Sequence, residues 1–129
     1  MKNHASALIV AGPDLLREGL RAALIAVHCF QTVDEADSAA SALAMHVDHD
    51  PALVLFSTDE PVDQTLAGFR QIKARWPEAW CIVLVDTVAQ QQSAQAAGLE
   101  EVLVKGVRPD KLLGTIEDLI RGEGQAAAR

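Results

Sequence analysis

Short, unbroken apolar runs alternate along the chain with segments whose apolar residues recur at helical spacing. Ala7-Leu8-Ile9-Val10-Ala11 ends at Gly12-Pro13, and Leu53-Val54-Leu55-Phe56 and Cys81-Ile82-Val83-Leu84-Val85 repeat the pattern. Val102-Leu103-Val104 is a shorter version of it. Runs of this length, bounded by turn residues, predict strands covered on both faces. Cys29-Phe30-Gln31-Thr32-Val33 is mixed in character, as expected of a less protected edge strand.

Between these runs the period becomes that of a helix. Leu16, Leu20, Leu24 and Val27 form one stripe after Pro13-Asp14, which supply helix-start chemistry. Ser38 or Asp37 is placed to cap a second helix that buries Ala39, Leu43 and Val47. Leu66, Phe69, Ile72 and Trp76 mark a third, closed by Pro77. A fourth, from about Ala89 to Ala97, is mostly Gln and Ala and ends at Gly98, a natural C-terminal cap. Pro109 opens the fifth, with Leu112, Ile116, Leu119 and Ile120 facing inward and Gly122 stopping it. Five β-α units at this spacing predict an α/β fold: a parallel sheet with right-handed crossovers and helices on both faces.

Composition narrows the picture. The 129 residues suffice for one domain, placed at residues 1–122, with 123–129 a flexible C-terminal tail. At 50% hydrophobic and 22% charged residues, bulk disorder is excluded. No apolar run approaches the roughly twenty residues of a membrane helix, and Met1-Lys2-Asn3-His4 does not open a signal peptide. No membrane partner is therefore expected. The net charge of -7, with no cluster of Lys and Arg, argues against direct nucleic-acid binding. Cys29 and Cys81 are too far apart for a CxxC motif and both lie in apolar segments, so they read as buried free thiols in a reducing cytoplasm.

In an open parallel sheet, chemistry sits at the carboxyl ends of the strands. The residues there are Ala11-Gly12, Ser57-Thr58-Asp59, Asp86-Thr87 and Lys105-Gly106. No GxGxxG and no GxxxxGK[ST] occurs, so dinucleotide and P-loop readings fall away.

Residues 7–20, from Ala7 through Gly12-Pro13-Asp14 to Leu20, resemble the opening of bacterial response-regulator receiver domains, especially those that precede a LuxR-type helix-turn-helix. Pro51 to Pro61 is similar to that family's third strand and the proline after it. Ala96 to Lys105 resembles the approach to its signature lysine, and Val107 to Leu112 the start of its last helix. The resemblance covers nearly the whole chain. It implies a flavodoxin-like, doubly wound (βα)5 fold with strand order 2-1-3-4-5.

The family's chemistry is not carried by the matching residues. Receivers accept a phosphoryl group from a histidine kinase on an aspartate, and that position here is Ser57. Their metal-binding acidic pair falls on Ala11 and Gly12, their hydroxyl residue on Asp86, and their switch aromatic on Val102. Only Lys105 and Pro61 of the signature remain. Mg²⁺ needs anionic oxygens in near-octahedral array, which backbone carbonyls and a neutral hydroxyl do not supply. Without the metal, little neutralises a transferring phosphoryl group, Asp86 adds negative charge, and Ser57 has no evident base.

The expectation is a degenerate phosphoacceptor pocket of Ala11, Gly12, Ser57, Asp86 and Lys105, with no catalysis, metal or cofactor. Asp86 and Lys105 end neighbouring strands in this arrangement, so an ion pair between them is expected to hold the loop after the fourth strand. The resemblance also implies protein-protein signalling in a two-component-type pathway. Its partner would be an output domain, a kinase, another regulator or a second copy of the chain. The partner face would comprise Gln91, Val102, Arg108, Lys111 and Thr115, or else the first and last helices. Two alternatives stand beside this: phosphorylation on a displaced aspartate, Asp14 or Asp59, and a small-ligand sensor in the carboxyl-end crevice. His46 and His49 around Asp48 read as a solvated helix terminus. Trp76 and Trp80 are expected to be partly buried against the sheet.

Overall fold

The three longest apolar runs become the three central strands, because only a strand covered on both faces has use for apolar side chains at every position. The computed structural model describes residues 6–12, 15–26, 30–45, 50–57, 62–99, 101–105 and 109–121. In chain order the elements are β1 (Ser6–Val10), α1 (Leu15–Ala26), β2 (Thr32–Ala36), α2 (Ala39–Ala44) and β3 (Leu53–Ser57). They continue with α3 (Val62–Arg75), β4 (Trp80–Val85), α4 (Val88–Ala96), β5 (Val102–Val104) and α5 (Pro109–Arg121). The sheet is parallel throughout, in the order β2-β1-β3-β4-β5. The expected topology is the observed one.

Alternation along each strand divides the core in two. Leu8, Val10, Val54, Phe56, Val83 and Val85 pack toward Ala42, Ile72, Trp76 and Ala94, on the side of α2, α3 and α4. Ala7, Ile9, Leu53, Leu55, Ile82 and Leu84 pack toward Leu20, Leu24, Leu112 and Ile116 of α1 and α5. Burying each Leu, Ile or Phe contributes about 1.5–3 kcal/mol before conformational entropy is counted. Gly68 of α3 is set by this packing: a Cβ there would lie 3.1 Å from the Phe56 ring and 3.2 Å from Ala39 Cβ.

Several expectations need correction. The edge strand is Thr32–Ala36, not Cys29–Val33. Pairing with β1 and the arginines of α1 select the more polar segment, because an edge strand buries only part of its surface. Phe30 packs against the α1/α5 cluster instead. Ser38, not Asp37, caps α2, accepting from Ser41 N at 3.1 Å, and α2 stops at Ala44, short of Val47. Trp76 is 1% exposed rather than partly buried. Its indole N–H has no partner among the described residues, and the Arg75 guanidinium stacks 5.4 Å from its ring centroid. Trp80 is half-buried, as expected.

Cys81 is a half-buried free thiol whose pKa burial pushes up to about 11, with Lys73 partly opposing that rise. Asp14, Val27, Cys29, His46, Val47, Asp48, His49, Asp59, Pro61, Arg108, Gly122 and residues 123–129 lie outside the described residues, as do the side chains of Leu16, Leu119 and Ile120.

Candidate functional site

The sheet brings Ala11, Gly12, Ser57, Asp86 and Lys105 to one edge, since each ends or follows a strand that runs in the same direction. Val10 pairs with Phe56, Ser57 with Leu84, and Val85 with Val104, so the carboxyl ends of β1, β3, β4 and β5 stand side by side. Lys105 continues the ladder, its backbone N–H donating to Val85 O at 2.6 Å. That register delivers its ammonium to Asp86, with Nζ 3.1 Å from Oδ1. The pair is only partly shielded, at 22% side-chain exposure for Lys105 and 43% for Asp86.

Below this pair the loop into α4 is tied down by its own sequence. Thr87 is the N-cap, its Oγ1 accepting from Gln90 N at 3.1 Å. Gln90 Oε1 reaches back to accept from the backbone N–H groups of Asp86 (2.8 Å) and Thr87 (3.0 Å), completing a capping box. The helix therefore begins at Val88, one residue before the expected start. At its other end Gly98, at φ 109°, ends the helix as the sequence indicated.

The expected partner face is divided. Gln91 Nε2 donates to Val102 O at 2.7 Å, so this amide is committed to the fold. Val102 is 3% exposed, which removes its side chain from any surface; as a partner-face residue it is corrected to a core residue. A short apolar residue at this position lies inward, where an aromatic ring with a polar tip has reason to reach solvent. Lys111 is exposed on α5, and its carbonyl accepts from the half-buried Thr115 hydroxyl at 3.0 Å.

Sequence reasoning missed the other side of the same edge. Arg17 of α1 reaches the end of β1, where Nη1 donates to Asp37 Oδ1 at 2.6 Å and to Ala11 O at 3.2 Å, while Nε lies 3.4 Å from Glu35 Oε1. Arg21, one turn on, pairs with Glu35 Oε2 at 3.4 Å and donates to Val33 O at 3.0 Å. Two arginines four apart, followed by Asp34, Glu35 and Asp37, were the available signal.

Among the described residues, the donor set at this edge does not fit the divalent cation that receivers hold. The Ala11 carbonyl is already engaged by a guanidinium cation, Gly12 and Ser57 bring no anionic oxygen, and Asp86 is neutralised by Lys105. Among the described residues no three His, Cys, Asp or Glu gather into a metal-binding group.

Beside Ser57, a crevice of about 470 Å³ opens between the start of α2 and α3. Phe56 and Gly68 line it with Ser57, Gln64 and Gln71.

No protein-family model matches the sequence, and no curated protein does. Solved structures match closely in shape. The RcsB response regulator of Salmonella typhimurium superposes with a TM-score of 0.75 at 18% identity over 94% of this chain, which spans 62% of the RcsB chain. The fold is that of receiver domains. A LuxR family DNA-binding response regulator from Silicibacter pomeroyi gives 0.70 at 22% identity, covering 92% of this chain and 93% of that one. A CheY-like receiver domain protein from Methanospirillum hungatei JF-1 gives 0.72 at 18% identity, covering 95% and 98%. Among the described residues no helix is long and apolar enough to cross a membrane.

Proposed function

We propose that this chain is a receiver-like module, a single unit over residues 1–122, that signals through protein contacts in the cytoplasm without an acyl-phosphate switch. The observation that carries this reading is the Lys105–Asp86 ion pair at 3.1 Å. In the receiver arrangement that lysine meets the phosphoryl group. Here its charge is already answered by a carboxylate on the neighbouring strand end, which would repel an incoming phosphoryl anion. The capping box on Asp86 and Thr87 supports the same conclusion, since it holds the loop that a switch would have to release. Such a module has no enzymatic task. Its role is to present a fixed surface to an output domain, a kinase, another regulator or a second copy of itself. Lys111 and Thr115 of α5 are the candidate contact residues that remain on that surface, with Arg108 before them in sequence.

Incubation with Mg²⁺ and acetyl phosphate, read by intact mass, tests the reading. The expected spectrum shows no added phosphoryl group on the natural chain or on Ser57→Asp alone. Labelling is expected only when Ala11→Asp, Gly12→Asp and Asp86→Thr accompany Ser57→Asp. A phosphoryl group on the natural chain would overturn the proposal and direct attention to Asp14 or Asp59.

The crevice beside Ser57 supports a second reading, a small-ligand sensor, because its volume lies within the 300–1,000 Å³ typical of ligand sites. Native mass spectrometry of freshly purified protein separates the two: a retained small molecule favours the sensor, and a bare chain favours the protein-contact module.

A further inference from the structure

Both edges of the sheet have their first outward carbonyl occupied by a side chain. In a parallel ladder the N–H and C=O of one residue point the same way, and successive residues alternate. Ala11 N donates to Ala36 O at 2.9 Å, so Thr32, Asp34 and Ala36 face β1 while Val33 and Glu35 face outward. On the opposite edge, Val83 N donates to Glu101 O at 2.9 Å and Lys105 N to Val85 O at 2.6 Å. Residues 101, 103 and 105 therefore face β4, and Val102 and Val104 face outward. The first outward carbonyl of β2, that of Val33, accepts from Arg21 Nη1 at 3.0 Å. The first outward carbonyl of β5, that of Val102, accepts from Gln91 Nε2 at 2.7 Å.

We infer that Arg21 and Gln91 are edge guards, side chains that keep the strand edges of one copy of this chain from pairing with those of another. Exposed strand edges template such pairing. An added strand would have to bring its own N–H groups to the Val33 or Val102 carbonyl. It would first have to expel a guanidinium or amide already bonded there, leaving that donor to find a new partner. The two guards come from different helices, α1 and α4, and solve the same problem with different chemistry. Arg21 is held over its edge by Glu35 on the same strand, whereas Gln91 is uncharged. Gln91 also works beside a second safeguard, because β5 is only three residues long. This inference does not depend on the absence of a phosphoryl switch.

The test compares the natural chain with Arg21→Ala/Gln91→Ala by sedimentation velocity over a range of concentrations. Amide hydrogen exchange is followed at Val33, Glu35, Val102 and Val104. The double variant is expected to form larger species at concentrations at least tenfold below any at which the natural chain does, with the outward amides slowed at least tenfold in those species. A folded double variant of unchanged size at every concentration would overturn the inference. So would larger species whose outward amides exchange as fast as before, because association would then use another surface. Should the double variant fail to fold, Arg21→Met and Gln91→Met are tested singly, since each retains the aliphatic stem and removes the donor. Slowing confined to the edge that lost its guard supports the assignment, and folded single variants of unchanged size refute it.

Discussion

The two sides of the carboxyl edge hold a cation in different ways. Beside β1 and β2 the cation is Arg17, delivered by a helix, 18% exposed and shared among Asp37, Glu35 and the Ala11 carbonyl. Beside β4 and β5 it is Lys105, delivered by the strand itself and facing Asp86, which is 43% exposed. At about 4 Å and an effective dielectric near 20, a single pair attracts with ~4 kcal/mol gross, but exposed pairs retain only about 0–1 kcal/mol after desolvation and screening. The difference teaches that geometry, more than charge, decides what each side contributes. A planar guanidinium that satisfies several acceptors organises the ends of two strands and a helix, whereas the ammonium–carboxylate pair mainly determines which groups are left free to meet a ligand.

Breaking the first side should have the largest effect. Arg17→Ala takes the donor from the Ala11 carbonyl and from Asp37 and leaves Glu35 to Arg21 alone, and is expected to lower unfolding free energy by about 2–3 kcal/mol in urea titration. Arg17→Lys should recover less than half of that loss, because an ammonium cannot reproduce the fork. On the second side, Thr87→Ala removes the N-cap of α4 and should cost about 1 kcal/mol by the same measurement. The smallest effect belongs to the ion pair itself. A double-mutant cycle with Lys105→Met and Asp86→Asn is expected to return a coupling of about 0.5–1 kcal/mol, shrinking toward zero in about 1 M salt. A coupling as large as the Arg17 loss would show that the two sides are equivalent after all.

Legibility differed between the sides for a physical reason. Asp86 and Lys105 each follow an apolar run directly, so strand direction, together with the strand order that the resemblance implies, was enough to bring them together. Arg17 lies in mid-helix, and its reach to Ala11 and Asp37 depends on how α1 crosses the sheet, which periodicity does not encode. The register of β2 escaped for a related reason. Its apolar segment, Cys29 to Val33, looked more strand-like than the Thr32–Ala36 segment that pairs, because an edge strand is selected by partners as much as by burial. Val102 was readable as a strand residue. Its place in the core rather than on a partner surface followed from the α4 packing above it.

By itself the chain's alternation of apolar runs and helical stripes determined the parallel five-stranded sheet, because an unbroken apolar strand needs cover on both faces and a parallel neighbour needs a helical crossover. The residue types after the first and third strands likewise determined that Ala11, Gly12 and Ser57 bring no carboxylate to that edge. Tertiary structure alone decided that a guanidinium sits on the Ala11 carbonyl, that Trp76 is sealed in the core, and that Gln91 spends its amide on a strand edge. Those outcomes turn on ångström-scale approach between elements distant in sequence, where a hydrogen bond forms or fails over a few tenths of an ångström.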